Sequence, residues 1–425
     1  MLSIKFIREH PEIVKQNLDK RGDLQKITWV DDLLAKDSDY RDLLQESEQL
    51  RHKRNIITDE INQLKKQGKD ISEKIALVKS IPEDIKKIEE RIKEYQDKIL
   101  FYLMRIPNIM HESVPIGKDS NDNIVVRTWG KLPKFDFELK SHGELIEELG
   151  CGNFKKAAEV AGTGFYYLKN EVALLDIALQ RFALDFLMKK GFIFTEVPYM
   201  LNRKAYEGVT NLDDFENVMY KIENNDLYMI ATSEHPLVSQ YMNEVVDVQQ
   251  LPIMMCSVSP CFRREIGSHG LDTRGIFRVH QFNKVEQVVI CKPEDSWKLH
   301  EEIQKNSEEL FQKLKIPHRV VNICTGDIGI IAAKKYDIEA WSPRENKYFE
   351  VTSASNCTAY QAVRLNIRYD TKGERDYVHT LNNTGIATSR ALRAILENYQ
   401  QKDGSVKVPK VLYKYMNGIK SIQKR

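Results

Sequence analysis

The chain has 425 residues and a formal net charge of only +2, with 64 basic side chains against 62 acidic ones. That length holds two domains, one with a sizeable core, and the charge balance excludes a global polycation, so any nucleic-acid contact has to come from local placement of Lys and Arg. Six cysteines, at 151, 256, 261, 291, 324 and 357, contain no CxxC pair, which argues against a zinc ribbon and for reduced thiols; the opening MLSIKFIREHPEIV is charged throughout and no apolar run reaches membrane-spanning length, so a soluble, cytoplasmic protein without a membrane anchor is expected.

Residues 1–36 read as a helical lead-in, with Ile4, Ile7, Val14 and Leu18 at helical spacing and Pro11 at a helix start. Residues 38–104 differ. Leu43, Leu50, Ile57, Ile61 and Leu64 keep a seven-residue rhythm, and Ile71, Ile75, Val78, Ile85, Ile88, Ile92, Tyr95, Ile99 and Tyr102 follow at threes and fours. Two such stripes around KKQGKD predict an antiparallel helical hairpin turning at Gly68. Helices of about 30 residues are roughly 45 Å long, so an arm is expected. Basic residues cluster at Arg51, Lys53 and Arg54 and again at Lys65, Lys66 and Lys69. Such a rod suits the phosphates of a helical RNA, or a coiled coil that only contacts proteins.

Between Pro107 and Pro133 the periodicity breaks at Pro115, Gly117, Asn121, Asp122, Asn123 and Gly130. The domain boundary is expected near residue 110, giving 1–110 and 111–425. Residues 171–190 form an apolar-faced helix ended by Gly191, and FIFTEVPYML reads as a strand stopped at Pro198. DLYMIATSE, 226–234, runs from a strand into a turn, where Thr232, Ser233 and Glu234 either project from a sheet end or start a helix before Pro236.

The centre of the chain is CFRREIGSHGLDTRGIFRVHQFNKVE, 261–286. Met254, Met255, Val258 and Phe262 make a first strand and IFRVHQF a second, across a long loop holding Gly267 and Gly270. Loops of this length between strands are uncommon unless they handle a ligand. Arg263 and Arg274 at the loop's two ends and Glu286 along the second strand suit a nucleotide triphosphate, because a guanidinium grips phosphate or carboxylate with two parallel hydrogen bonds. A charged hairpin with surface ion pairs is the plain alternative.

Residues 293–315 read as an amphipathic helix through Trp297, Ile303, Leu310 and Leu314; PHRVVNICTGDIG, YDIEAWSP and KYFEVTSASNC follow as strands. Glu350, Thr352, Ser353, Ser355 and Asn356 put a carboxylate and hydroxyls at a strand end, a donor set for hydrated Mg²⁺ on nucleotide phosphates. Last, LNNTGIATSRALRAILENYQ places Thr384 and Gly385 before a helix whose apolar face is Ala391, Leu392, Ile395 and Leu396, with Arg390 in its first turns. No GxGxxG or GxxxxGK[ST] pattern occurs, so a nucleotide site would sit on an antiparallel sheet.

These strings resemble, in order, the motifs of the class II aminoacyl-tRNA synthetases, and most closely the seryl-tRNA synthetase family. FRRE with DTRG…R-HQF-KVE resembles motif 2, the 171–200 helix–strand–proline segment motif 1, and 381–400 motif 3; Thr232-x-Glu234 and the Glu350 segment match in place. Ser389 stands where a glycine often precedes the motif 3 arginine, and Thr384 where many relatives have Ser.

The resemblance implies an α+β fold: a class II antiparallel sheet flanked by helices, with an N-terminal arm gripping tRNA(Ser), and a homodimer. It implies serine activation by ATP with Mg²⁺, then transfer to tRNA; whether tRNA(Sec) is also charged stays open. Arg263 would meet the serine carboxylate and α-phosphate, and Arg390 the γ-phosphate. Glu350 and Ser353 would orient Mg²⁺, with Val351 and Thr352 beside the nucleotide. Glu265, Val279, Phe282 and Arg264 would complete the ATP site. Thr232, Ser233 and Glu234 would receive the serine ammonium, and Glu286 and Thr384 its hydroxyl. Two other readings are a class II paralogue loading a small amino acid onto a carrier protein, which would lack the arm, and a non-catalytic RNA-binding scaffold, which need not retain Arg263, Glu286, Glu350 and Arg390 together.

Overall fold

The computed structural model describes residues 1–211, 218–265 and 275–424. The chain divides into two compact units, Leu2–Ile106 and Pro107–Arg425, with Met1 counted in the second.

In the first unit two short helices, α1 (Ile4–Glu9) and α2 (Pro11–Lys20), precede two long ones, α3 (Leu24–Lys66) and α4 (Ser72–Leu103). The hairpin is as expected but its first helix starts far earlier than residue 38. Gly22, at φ +72°, breaks the chain, and the Asp23 side chain caps the Lys26 amide at 3.3 Å. No glycine or proline then interrupts Leu24–Lys66, so one helix of 43 residues forms, about 65 Å long. Gly68, at φ +67°, makes the turn, and Asp70 caps the Ser72 amide at 2.9 Å. Leu43 and Ile57 of α3 and Ile81, Ile85 and Ile88 of α4 are buried along the seam, as the heptad spacing requires. Arg51 crosses the hairpin to Glu89 at 2.6 Å, whereas Lys53, Arg54, Lys65, Lys66 and Lys69 are exposed.

The second unit is built on an eight-stranded sheet. Its strands are β1 (Ile124–Trp129), β2 (Ile193–Phe194), β3 (Ile253–Phe262), β4 (Gln281–Cys291), β5 (His318–Asn322), β6 (Lys334–Ser342), β7 (Lys347–Asn356) and β8 (His379–Ala387). They lie in the order β1-β5-β6-β7-β8-β4-β3-β2. Every pairing is antiparallel except the last, where Ile193 and Phe194 run parallel to Met255 and Cys256. The strand expected from FIFTEVPYML is therefore two residues long, with a separate short strand after Pro198.

Three helices cover one face: α5 (Asn170–Lys189), α7 (Ser296–Lys313) and α9 (Thr388–Tyr399). Leu175, Leu179, Phe182, Leu310, Leu392 and Ile395 pack there on Val285, Val289 and Ile338. Alternation along β4 sorts its side chains. Asn283 bonds Asp176 of α5 at 3.1 Å, and Gln287 bonds the Ile303 carbonyl of α7 at 3.0 Å. Phe282, Lys284 and Glu286 therefore face the opposite side. Two short helices, α6 (Glu234–Ser239) and α8 (Tyr360–Leu365), belong to that side, where Leu237, Ala362 and Leu365 share a second core with Val288 and Ile290.

Candidate active site

The sheet face opposite α5, α7 and α9 carries a cleft of about 830 Å³, within the range of small-molecule sites. Two backbone irregularities decide which side chains reach it. In β7 the register on β6 slips between Glu350 and Thr352, and Glu350, Val351, Thr352 and Ser353 all line the cleft together with Ser355. In β8 the register on β4 slips between Thr384 and Ile386. This bulge at Gly385 reverses the alternation. Asn382 and Thr384 line the cleft, Ile386 goes to the opposite core, and Ala387 lines the cleft again.

At one end, Arg390 in the first turn of α9 meets Glu350 at 2.8 Å and donates to its backbone carbonyl at 3.2 Å. Burial opposes ionisation of Glu350, but Arg390, Lys335 and Arg263 outweigh it and hold its carboxyl below the usual range. Lys335 is itself 3.3 Å from Asp337. Arg263 leaves β3 on the neighbouring side. Its Nε donates to the Ala231 carbonyl at 3.4 Å and its guanidinium lies 5.3 Å from the Phe282 ring centre.

The floor is a buried charge cluster. Lys284 and Glu286, two apart on β4, pair at 2.6 Å with side chains only 7% and 1% exposed. Thr384 of β8, directly across in register, donates its hydroxyl to Glu286 at 3.3 Å. Glu234, first residue of α6, is also on the cleft. Burial, with Glu286 adding, pushes the Glu234 carboxyl up to about 7. The same surroundings act oppositely on His235: burial first, then Lys284 and Arg263, pull its imidazole down to about 3, so it is neutral near pH 7. Thr232 serves both readings of its segment, since its hydroxyl accepts from the Glu234 amide at 3.2 Å while it lines the cleft.

The cleft thus sets two guanidiniums over a floor of carboxylates and hydroxyls. Family models match the chain twice: the seryl-tRNA synthetase N-terminal domain over residues 1–110 and the class II tRNA synthetase core domain over 217–399. The serine--tRNA ligase of Methanocella arvoryzae is 59% identical over 423 residues, covering 99% of both chains. That of Methanospirillum hungatei is 57% identical over 420 residues, covering 98% of this chain and 99% of the relative. The chain belongs to the seryl-tRNA synthetase family.

Solved structures agree in fold. The Pyrococcus horikoshii seryl-tRNA synthetase, described as complexed with ATP, superposes with a TM-score of 0.94 at 51% identity over the whole of both chains. The cytoplasmic serine-tRNA ligase of Naegleria fowleri, described as in complex with AMP, gives 0.88 at 37% identity, covering 100% of this chain and 99% of that one. This synthetase is a class II aminoacyl-tRNA ligase, with the antiparallel sheet that the absence of nucleotide-loop motifs implied.

Most of the residues expected at the site are brought together in this synthetase cleft: Thr232, Glu234, Arg263, Glu265, Phe282, Glu286, Glu350, Val351, Thr352, Ser353, Thr384 and Arg390. Three are not. Arg264 is exposed beside the cleft, its amide bonded to the Val218 carbonyl. Ser233 is wholly buried at the N-cap of α6. Val279 is buried and does not line the cleft.

The strand expected over IFRVHQF is shorter in the structure. Strand geometry begins only at Gln281. Before it the chain bends: the Ile276 amide donates to His142 at 3.3 Å, and His280 donates its amide to the Gly164 carbonyl at 2.9 Å while its own carbonyl accepts from the Arg263 amide at 2.9 Å. Arg274, with Gly267, Gly270, Asp272 and Thr273, lies outside the described residues. Sequence reasoning missed Lys284, Lys335, His235 and Asn382, all on the cleft. For Lys284 a signal existed, because on a strand it must share a face with Glu286.

Proposed function

We propose that the cleft joins L-serine to ATP as seryl-adenylate and then passes the seryl group to the 3′ end of tRNA(Ser). The observation that carries the reading is the presence of Arg263 and Arg390 on one cleft whose floor holds Lys284, Glu286, Glu234 and Thr384. In the first step a serine carboxylate oxygen attacks the α-phosphorus and the bond to pyrophosphate breaks. In the second, the terminal ribose hydroxyl attacks the activated carbonyl and AMP leaves.

The carboxylate is ionised at neutral pH and needs no base, so this chain's contribution is alignment and charge neutralisation. Arg263 takes the serine carboxylate and α-phosphate, and Arg390 the γ-phosphate. Phe282, packed against Arg263, offers a ring face to the adenine, with Glu265 nearby. Glu234 and Thr232 receive the ammonium. Glu286 and Thr384 test for the hydroxyl, and an analogue without it would forfeit the hydrogen bonds they make to it, worth about 10⁴-fold in selectivity.

Glu350 and Ser353 fit Mg²⁺. Two protein oxygens are too few for a dedicated cage, but Mg²⁺ on a nucleotide keeps waters and takes phosphate oxygens, and Glu350 is kept ionised. The ion would neutralise phosphate charge there.

The N-terminal hairpin is assigned to the tRNA, with exposed Lys53, Arg54, Lys65, Lys66 and Lys69 as phosphate contacts. Its family match over residues 1–110 disfavours a carrier-loading paralogue without an arm. The second unit is assigned as one half of a homodimer. Ile177 on α5 and Ile193 on edge strand β2 are each 61% exposed, with Met188 and Phe194 also exposed, and a two-fold contact would cover them. Free thiols at all six cysteines accord with a cytoplasmic enzyme, and among the described residues no helix is long and apolar enough to cross a membrane.

The test is ATP–pyrophosphate exchange with each small amino acid, followed by aminoacylation of purified tRNA(Ser) and tRNA(Sec). Serine alone should support exchange and tRNA(Ser) should be charged. Exchange with another amino acid in preference to serine, or charging of a carrier protein in place of tRNA, would overturn the reading.

A further inference from the structure

Behind the cleft floor, Gln361 of α8 is wholly buried and does not line the cleft itself. Its Nε2 donates to Glu234 Oε1 at 2.8 Å and to the Val209 carbonyl at 3.3 Å. Its Oε1 accepts from the Thr380 hydroxyl of β8 at 2.6 Å. The two ends of a side-chain amide are chemically different, and these partners select between them. Turned over, the amide would set its oxygen against the Val209 carbonyl, which cannot donate, and would repel the ionised form of Glu234.

We infer that Gln361, oriented by Thr380 and the Val209 carbonyl, is a positioning residue for amino-acid binding: it occupies one oxygen of Glu234, aims that carboxylate, and leaves the other oxygen to the substrate ammonium. This rests on the reading of Glu234 as the ammonium's acceptor. A single neutral donor matters here because of what surrounds Glu234. Glu286 disfavours its charge, Lys284 and Arg263 favour it, and Tyr206 and Cys357 also stand close enough to interact with it. Burial is the largest influence, and the Gln361 bond is among those opposing it. Removing that bond moves the carboxyl further up, so fewer molecules carry the charge at a given pH.

The experiment is serine- and ATP-dependent pyrophosphate exchange across pH 5.5–9 for Gln361→Met, Thr380→Val, Thr380→Ser and Glu234→Gln in the full chain. Gln361→Met should raise KM for serine roughly 10- to 100-fold, the range for losing a hydrogen bond to a charged group. It should leave KM for ATP in place and move the acid limb of kcat/KM for serine to higher pH. Thr380→Val, which frees the amide to turn, should act in the same direction more weakly, and Thr380→Ser should restore most of the loss. Equal changes in the two KM values, or an unmoved acid limb in a folded Gln361→Met protein, would overturn the inference. If Gln361→Met does not fold, unchanged serine kinetics in Thr380→Val would do so. If Glu234→Gln itself leaves KM for serine unchanged, the reading of Glu234 fails and the inference with it. A large effect in Glu234→Gln with none in Gln361→Met or Thr380→Val sinks the inference alone.

Discussion

Lys284 and Glu286 define each other's roles. With both side chains almost fully buried, removing one partner leaves an uncompensated charge. Glu286→Ala should therefore cost about 3–5 kcal/mol of stability, read by thermal melting, besides abolishing serine activation. Glu286→Gln keeps a polar partner for Lys284 and should melt nearer the parent. It should still lose roughly 10³-fold or more in kcat/KM for serine, with ATP binding retained. The proposed role of Glu234 as acceptor of the serine ammonium sets the expected pH profile. A carboxylate binds an ammonium and a carboxylic acid does not, so kcat/KM for serine should fall as pH drops below about 7, where Glu234 protonates. Glu350, held below the usual range, contributes no such limb near neutrality. Glu286 was legible because it ends a long distinctive string. Lys284 stands out less, because only the alternation of its strand, which sets it on the same face as Glu286, distinguishes it from a surface lysine.

The helix that backs the cleft floor, α8, packs closely on Gly208 of the helix Arg203–Val209. A Cβ on Gly208 would lie 2.2 Å from a terminal carbon of Leu365 and 2.6 Å from Cγ. Leu365 is itself buried at the end of α8, so it has nowhere to retreat. Gly208→Ala should destabilise by about 1–3 kcal/mol, lowering the melting temperature, and should raise KM for serine more than KM for ATP because α8 carries Gln361. Element identities were largely readable from periodicity: α5, α7, α9 and the strands after α7 fall close to where apolar spacing put them. The bulges at Gly385 and around Val351 were not readable. A bulge leaves composition unchanged and only reverses which residues face which way, so a strict period of two assigns the wrong face beyond it. The start of α3 is obscured for a simpler reason: Gly22 and Asp23, a break followed by a cap, sit within residues 1–36, whose apolar spacing reads as one helical lead-in.

At the scale of the whole molecule, the division into two compact units predicts that RNA recognition and amino-acid activation separate by mutation. Replacing Lys65, Lys66 and Lys69 with Glu should lower kcat/KM for tRNA while leaving pyrophosphate exchange at the parent rate. If the three contact phosphates, the salt dependence of tRNA binding should also flatten by about two to three in log–log slope. Unchanged aminoacylation across salt would remove these lysines from the interface. The arm was legible because a coiled-coil seam repeats over many turns and each repeat reinforces the last. The assembly of the cleft was less so, since its side chains come from positions as far apart as 210 and 390, and no local pattern records that they meet.

The buried carboxylate at the head of α6 has a calorimetric consequence. Near neutrality the empty site retains part of a proton on Glu234, and an arriving ammonium favours the deprotonated form. Serine capture should then expel up to about one hydrogen ion to the solvent. Titration calorimetry at pH 6.5–7 should give an apparent heat that differs between phosphate and Tris in proportion to the difference in their ionisation enthalpies, and the two traces should draw together by about pH 8, where the Glu234 carboxyl is already ionised and the ammonium of serine is not yet lost.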